Sequence, residues 1–173
     1  MKEADDEAEE LEPPLKLVCF YLRDQELALP IDCVRETIRV RPIARVFLTP
    51  SWLAGIFSLR GEIVPAVDLA PWLGMPPTIV GDETRLVVLR HPTKVIAILV
   101  DGLAELRVLR PSDVVAPPST LSTDQAVLLS GLAATPTGTV RILAPNAILG
   151  SERLRSLGAA STSPTTEREA PLE

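Results

Sequence analysis

From Leu15 to Leu22 the chain alternates with period two, and both phases are largely apolar. Leu15, Leu17, Cys19 and Tyr21 fall on one side, Val18, Phe20 and Leu22 on the other. That pattern predicts a strand buried on both faces. Arg23-Asp24-Gln25 reads as a turn, and Glu26 to Pro30 returns as the second strand of a hairpin. Pro30 to Glu36 reads as a helical turn or bend, with Asp32 available as a local cap, before a strand from Thr37 to Val40 that Pro42 stops. Ile43 to Phe47 is a strand end or linker. Thr49 to Leu53 is a turn whose Trp52 is expected to plug the following hairpin against the core.

That following hairpin is the centre of the pattern. Two apolar runs, Ile56 to Leu59 and Ile63 to Val67, flank Arg60-Gly61-Glu62. Gly61 adopts positive φ at little cost, so the segment reads as strand, tight turn and strand with an arginine at the apex. Such an arginine is either solvated at the turn or placed there to meet a partner.

Leu69 to Leu73 then reads as a short helix ended by Gly74, and Ile79 to Glu83 as a mobile loop. Strands are expected over 84–90, 95–100, 103–109, 127–134 and 139–143, and a terminal helix over 146–157. Thirteen prolines within residues 15–150 leave no room for a long helix there. Short strands at this spacing predict an all-β chain, here two small barrels side by side with the chain crossing between them. A groove at their junction is the natural place for a ligand or partner.

Charge changes the picture only once it is divided. The net charge is −6, but residues 1–14 hold seven acids and one lysine, giving −6 by themselves. Residues 15–150 come to +1 and 151–173 to −1. The domain is therefore nearly neutral, over 15–155, with an acidic tail over 1–14 and a Ser/Thr-rich tail over 156–173, both expected to be disordered. Arg35, Arg39, Arg41 and Arg45 form a basic series, but no recognition helix or aromatic readers accompany it. It reads as a solvated sheet face, and nothing points to nucleic acid. No apolar run is long enough to span a bilayer, and the acidic start is no signal peptide. Cys19 and Cys33, with one histidine in the chain, make neither a zinc nor a disulfide pattern and read as reduced thiols in a cytosolic core.

Candidate chemistry is sparse. Asp101-Gly102 ends an apolar strand in the manner of the active loop of dimeric aspartic proteases, where two carboxylates share a proton. That loop needs a hydroxyl residue between Asp and Gly, which is missing here, and the similar Asp68-Leu69 lacks the glycine. His91, before Pro92 in a turn, has no acid or nucleophile arranged to serve it and reads as solvent-exposed. There is no phosphate loop, nucleophile elbow, cofactor motif or metal-ligand cluster, so the residues read as a binding module and not an enzyme.

The central hairpin also resembles a known family. Gly55-Ile56-Phe57-Ser58-Leu59-Arg60-Gly61 followed by Ile63-Val64-Pro65-Ala66-Val67-Asp68-Leu69 resembles the signature of the CheW family, the adaptors of bacterial chemotaxis arrays. Leu17-Val18-Cys19-Phe20, Val34-Arg35-Glu36-Thr37-Ile38, Val100-Asp101-Gly102-Leu103, Pro117-Pro118 and Leu132 resemble further family segments, in family order. The resemblance spans about 15–155. It implies two SH3-like five-stranded barrels and a non-catalytic adaptor, without cofactor, in the cytoplasm at inner-membrane receptor arrays. Its implied partners are the cytoplasmic tip of methyl-accepting chemoreceptors and the regulatory domain of a CheA-type histidine kinase, the latter through an apolar edge of the second barrel. Adaptors for gliding motility, development or cyclic-dinucleotide signalling share the pattern. By position the resemblance assigns the coupling surface to Val34, Glu36, Gly55, Leu59, Arg60 and Gly61, with Glu36 and Arg60 paired. Two residues depart from it: Pro145, which should end the last strand early, and Phe57, bulkier than the usual aliphatic.

Overall fold

A computed structural model describes residues 12–159; the expected disorder of residues 1–11 and 160–173 lies outside the described residues. The elements in chain order are β1 (Leu15–Leu22), β2 (Gln25–Pro30), β3 (Val34–Arg39), β4 (Leu53–Leu59), β5 (Glu62–Asp68), β6 (Arg85–Leu89), β7 (Ile96–Val100), β8 (Gly102–Leu103), β9 (Arg107–Leu109), β10 (Val114–Val115), α1 (Thr123–Leu128), β11 (Leu129–Thr135), β12 (Gly138–Leu143), α2 (Pro145–Leu149) and α3 (Glu152–Ala159). They form two sheets. The first runs β10-β11-β12-β2-β1, with β8 and β9 both on the outer side of β1; the second runs β3-β6-β7-β5-β4.

Each sheet is closed by the chain that leaves one edge. In the first barrel β9 lies against β1 and β10 against β11, and the single turn Pro111–Asp113 connects them around the open side. In the second barrel the chain leaving β3 crosses to β4, where Ala44 and Ile56 exchange both backbone hydrogen bonds, 2.8 and 2.9 Å. Closure satisfies edge groups that would otherwise be open to another strand.

The two barrels do not follow the two halves of the chain. The whole second barrel, Val34 to Val100, is inserted between the β1–β2 hairpin and the rest of the first barrel. Pro30 and the 3-10 turn Ile31–Cys33 deflect the chain out of the first sheet at β2, and Asp32 makes no capping bond there. The vacant side of β1 is then filled from far along the sequence.

Alternation on both faces builds three apolar layers. Phe57, Leu59, Val64, Leu86, Val88 and Leu99 fill the second barrel, and Leu17, Cys19, Ala28, Val140 and Ile142 fill the first. The opposite faces meet in one larger cluster between the barrels, where Phe20, Leu22, Leu27 and Leu29 face Val67, Val87, Leu89 and Ile98. β1 is thus buried on both sides, as its pattern predicts. Trp52 joins this shared core and packs edge-on to Trp72 with centroids 5.4 Å apart.

Three expected elements are corrected. Residues 127–134 are not one strand: Ser122 caps α1 by accepting the Gln125 N–H, and β11 begins only at Leu129. The expected strand over 103–109 is broken at 104–106, leaving β8 and β9 to pair with opposite ends of β1. The terminal helix is two helices, because Gly150 closes α2 and Ser151 accepts the Leu154 N–H to start α3. α3 runs to Ala159, so residues 156–159 belong to a helix and not to the tail. Pro145 disturbs no pairing: it stands in the first turn of α2, where its missing N–H costs nothing, after β12 has paired with both β11 and β2. Phe57 is buried inside the second barrel.

Candidate functional site

β4 and β5 are joined by the two-residue turn Arg60-Gly61, with Leu59 directly opposite Glu62. Both turn residues have positive φ, +49° and +86°, the arrangement that matches the right-handed twist of the flanking strands. Nothing lies within 4 Å of where a Cβ would stand on Gly61, so its glycine answers to backbone conformation alone. Arg60 shares that conformation without being a glycine, which projects its side chain off the tip.

There it meets Glu36. The two guanidinium nitrogens donate to the two carboxylate oxygens at 2.9 and 3.0 Å, a bidentate fork. Glu36 belongs to β3 and Arg60 to the turn that directly follows β4, and these strands are the opposite edges of the sheet, so the pair spans the seam of the second barrel. It is wet: the arginine side chain is 64% exposed and the glutamate 21%. Arg35 lies beside it, 3.8 Å from Glu36 and 3.4 Å from Glu62, so that two bases and two acids alternate across the seam. Arg35 is the extra residue of a bulge in β3, which keeps Glu36 facing the seam. Ile63 is exposed beside the turn.

The six residues assigned to the surface therefore divide. Arg60 and Gly61 stand at the exposed tip, and Val34 and Glu36 are half-buried at the start of β3. Gly55 and Leu59 are buried and face the barrel interior. Leu59 is 1% exposed in the barrel core. Gly55 lies where the crossing chain closes the barrel: a Cβ there would stand 2.3 Å from the Ala44 carbonyl oxygen and 2.6 Å from Ile43 Cγ2. Its φ of +146° is also rarely adopted by other residues.

A second bidentate pair gave no signal in the sequence. Arg107 on β9 donates through Nε and an Nη to the two oxygens of Glu26 on β2, at 2.7 and 3.1 Å, and to Thr137 Oγ1 at 2.9 Å. It reaches over β1, which separates the two strands, and its side chains are only 20% and 10% exposed. The bond to Glu26 holds the guanidinium above its ordinary pKa, against the opposing cost of desolvation.

The carboxylates that suggested a protease are spent on structure. Asp68, 2% exposed, accepts the Ala70 N–H and both the N–H and hydroxyl of Thr78. Asp101 accepts the Arg23 N–H at the β1–β2 turn, where Arg23 has positive φ. Both side chains are engaged in backbone hydrogen bonds, and neither is followed by the hydroxyl residue that the protease loop needs, so nothing in the structure supports the protease reading. His91 is half-buried and accepts from the Thr93 N–H. Burial pushes both thiols up to about 11, and for Cys19 the Glu26 charge adds to it. No group of three or more metal-ligating side chains, and no helix long and apolar enough to cross a membrane, occurs among the described residues.

Comparison with known proteins accounts for this architecture. The family model of the CheW-like domain matches residues 16–153. The chemotaxis protein CheW of Helicobacter pylori is 30% identical over 119 residues, covering 69% of this chain and 72% of that protein. Protein FrzA of Myxococcus xanthus is 30% identical over 111 residues, covering 64% and 69%. The scaffolding protein TtCheW from Thermoanaerobacter tengcongensis superposes with a TM-score of 0.70 at 24% identity, over 79% of this chain and 88% of that one, and shares the fold.

Proposed function

The chain belongs to the CheW-like family, and from that premise we propose that it is a non-catalytic adaptor that couples bacterial chemoreceptors to a CheA-type histidine kinase. It works in the cytoplasm, at arrays on the inner membrane, without cofactor, nucleic acid or insertion into the bilayer. Its contact surface is the seam of the second barrel: Arg60 and Gly61 at the tip, Val34 and Glu36 on β3, with Gly55 and Leu59 holding the barrel wall behind them.

The observation that carries this reading is the exposed fork between Arg60 and Glu36. Glu36 occupies two of the five guanidinium N–H donors, and the others face water on a side chain whose direction is already fixed. A helical receptor tip offering a carboxylate or a free carbonyl meets a preoriented donor, with Val34 and Ile63 supplying apolar contact on either side.

The test is a pull-down from native lysate with the tagged chain beside Arg60→Glu. Recovery of a CheA-type kinase and methyl-accepting receptors by the wild type, with receptor recovery falling in the variant, is the expected result. Capture of neither partner by the wild type overturns the adaptor reading; equal capture by both proteins removes the site from Arg60. The match to FrzA, about as identical as the CheW of Helicobacter pylori, favours a second reading: the same adaptor chemistry serving an array with another output. The identity of the co-purified kinase and receptors separates the two.

A further inference from the structure

The other end of the second barrel carries charge that the described residues do not neutralise. Between Glu36 and Glu62 the sequence holds four arginines and no acid. Arg60 is paired; Arg39, Arg41 and Arg45 are exposed, and among the described residues none has a carboxylate within salt-bridge distance. Arg39 also stands directly opposite Arg85 in the β3–β6 ladder, a like-charge pair that disfavours the sheet unless an anion approaches. Arg85 itself donates to the carbonyls of Asp82 and Thr84.

Arg41 and Arg45 line a groove of about 710 Å³ whose apolar wall includes Phe47, Leu48 and Val80. Phe47 and Leu48 are almost fully exposed, and Leu48 is held at φ +59°, a conformation such a residue rarely adopts. The groove's own acid, Asp68, is already bonded to Ala70 and Thr78.

The same chain carries the complement. Residues 3–10 read Glu-Ala-Asp-Asp-Glu-Ala-Glu-Glu, six carboxylates interrupted by two alanines and followed by Leu11. We propose that this segment docks across Arg39, Arg41 and Arg45, with its alanines and Leu11 against Phe47 and Leu48, so that the acidic tail neutralises the basic end of the second barrel. The reach suffices. Leu17 lies opposite Pro30, and from Pro30 to Arg39 the chain advances at most about 30 Å, whereas the twelve residues from Glu3 to Leu15 extend about 40 Å. A short tether supplies an effective concentration of about a millimolar, so a contact too weak to hold a free peptide is still occupied. This inference is independent of the adaptor reading.

Amide spectra of the isotope-labelled full chain test it, wild type against a variant with Asp5→Asn, Asp6→Asn, Glu7→Gln, Glu9→Gln and Glu10→Gln, at about 10 mM salt. Beyond the tail itself, the expected shift differences fall on 39–48 and around Arg85. The wild type should lose the same shifts at about 1 M salt, where the screening length is only about 3 Å. Arg41→Gln/Arg45→Gln with the natural tail should move the tail amides to their positions in the neutralised variant. Differences confined to residues 1–15, or centred on Arg110 or Arg141, overturn the proposal. So do differences that grow with protein concentration, which would mean that the tail reaches a second copy.

Discussion

Both barrels carry a bidentate arginine–glutamate fork, end-on through two Nη atoms in one and side-on through Nε and an Nη in the other, and the two differ in water. In the first barrel Arg107 meets Glu26 over the top of β1, with Thr137 satisfying a further donor and little of either side chain exposed. In the second, Arg60 meets Glu36 across the seam with most of the guanidinium in solvent. A pair held away from water cannot lose one member cheaply, because the survivor is left charged and desolvated. A pair in water contributes little, and each member can take another partner. Similar distances therefore mark a structural lock in one barrel and, in the other, the exposed pair we propose as the contact surface.

The largest expected effect comes from breaking the lock. Arg107→Ala leaves the part-buried Glu26 unpaired and should cost about 3–4 kcal/mol, the lower part of the range for a buried pair because both side chains keep some water, read as a lowered urea midpoint. Glu26→Gln with Arg107→Met removes both charges and should recover most of that loss. A double variant no more stable than Arg107→Ala would mean that Arg107 acts through packing and not through its pairing.

The next effect belongs to the wall beneath the second fork. Gly55→Ala places a methyl against the Ala44 carbonyl and Ile43, and asks alanine to keep φ +146°. Overpacking and backbone strain together should cost about 3 kcal/mol. Because Ala44 closes this barrel, amide exchange should quicken at Ala44 and Ile56 before it quickens in the first barrel. Uniform loosening of both barrels would show that the seam is not an independent weak point.

Titration separates the barrels by a gentler route. Burial raises the Cys19 thiol from 9.0 to about 11, so the folded state holds the proton more tightly than the unfolded chain. The sign follows: the contribution is complete below pH 9 and is lost as pH rises from 9 to about 11, by about 2–3 kcal/mol. Cys33, also raised to about 11, acts in the same window from its place between the barrels. Cys19→Ala should flatten the fall in stability over that window, measured by denaturation at each pH. An unchanged slope would show that the first-barrel interior admits water around the thiol.

Continuous apolar runs were the strongest signal in the sequence, and they hold wherever burial is two-sided, as in β1, β6 and β7, because both phases had to be apolar. The β4–β5 turn was legible for the same local reason: only a few residues tolerate its backbone. α1 was hidden by the apolar run that continues into β11, although Ser122 and Gln125 stand at the spacing of a helix-capping box. The insertion of one barrel within the other was not legible, since β1 takes β8 and β9 from about eighty to ninety-five residues away and no local pattern reports pairing across that distance. Glu26 and Arg107 were missed for this reason. Arg60 stood out at the apex of its turn, but Glu36 and their pairing came only through family resemblance, which also put Gly55 and Leu59 in the coupling surface although both are buried.

The smallest effect on stability should be the most informative about the comparison. Arg60→Ala removes an exposed fork and should cost no more than about 1 kcal/mol, less as salt is added. Glu36 then stays half-buried but keeps Arg35 beside it at 3.8 Å, so its charge is not left without a partner. Arg60→Lys should fold as well as the wild type yet fail to restore receptor capture, because an ammonium keeps the charge and loses the planar fork. If lysine restores capture, the tip acts as a point charge and its bidentate geometry is incidental. If alanine lowers stability as far as Arg107→Ala does, the two forks are both locks and water does not distinguish them. If Arg60→Ala loses capture while its denaturation midpoint stays within about 1 kcal/mol of the wild type, the guanidinium is held for the partner, and Glu36 serves to aim it.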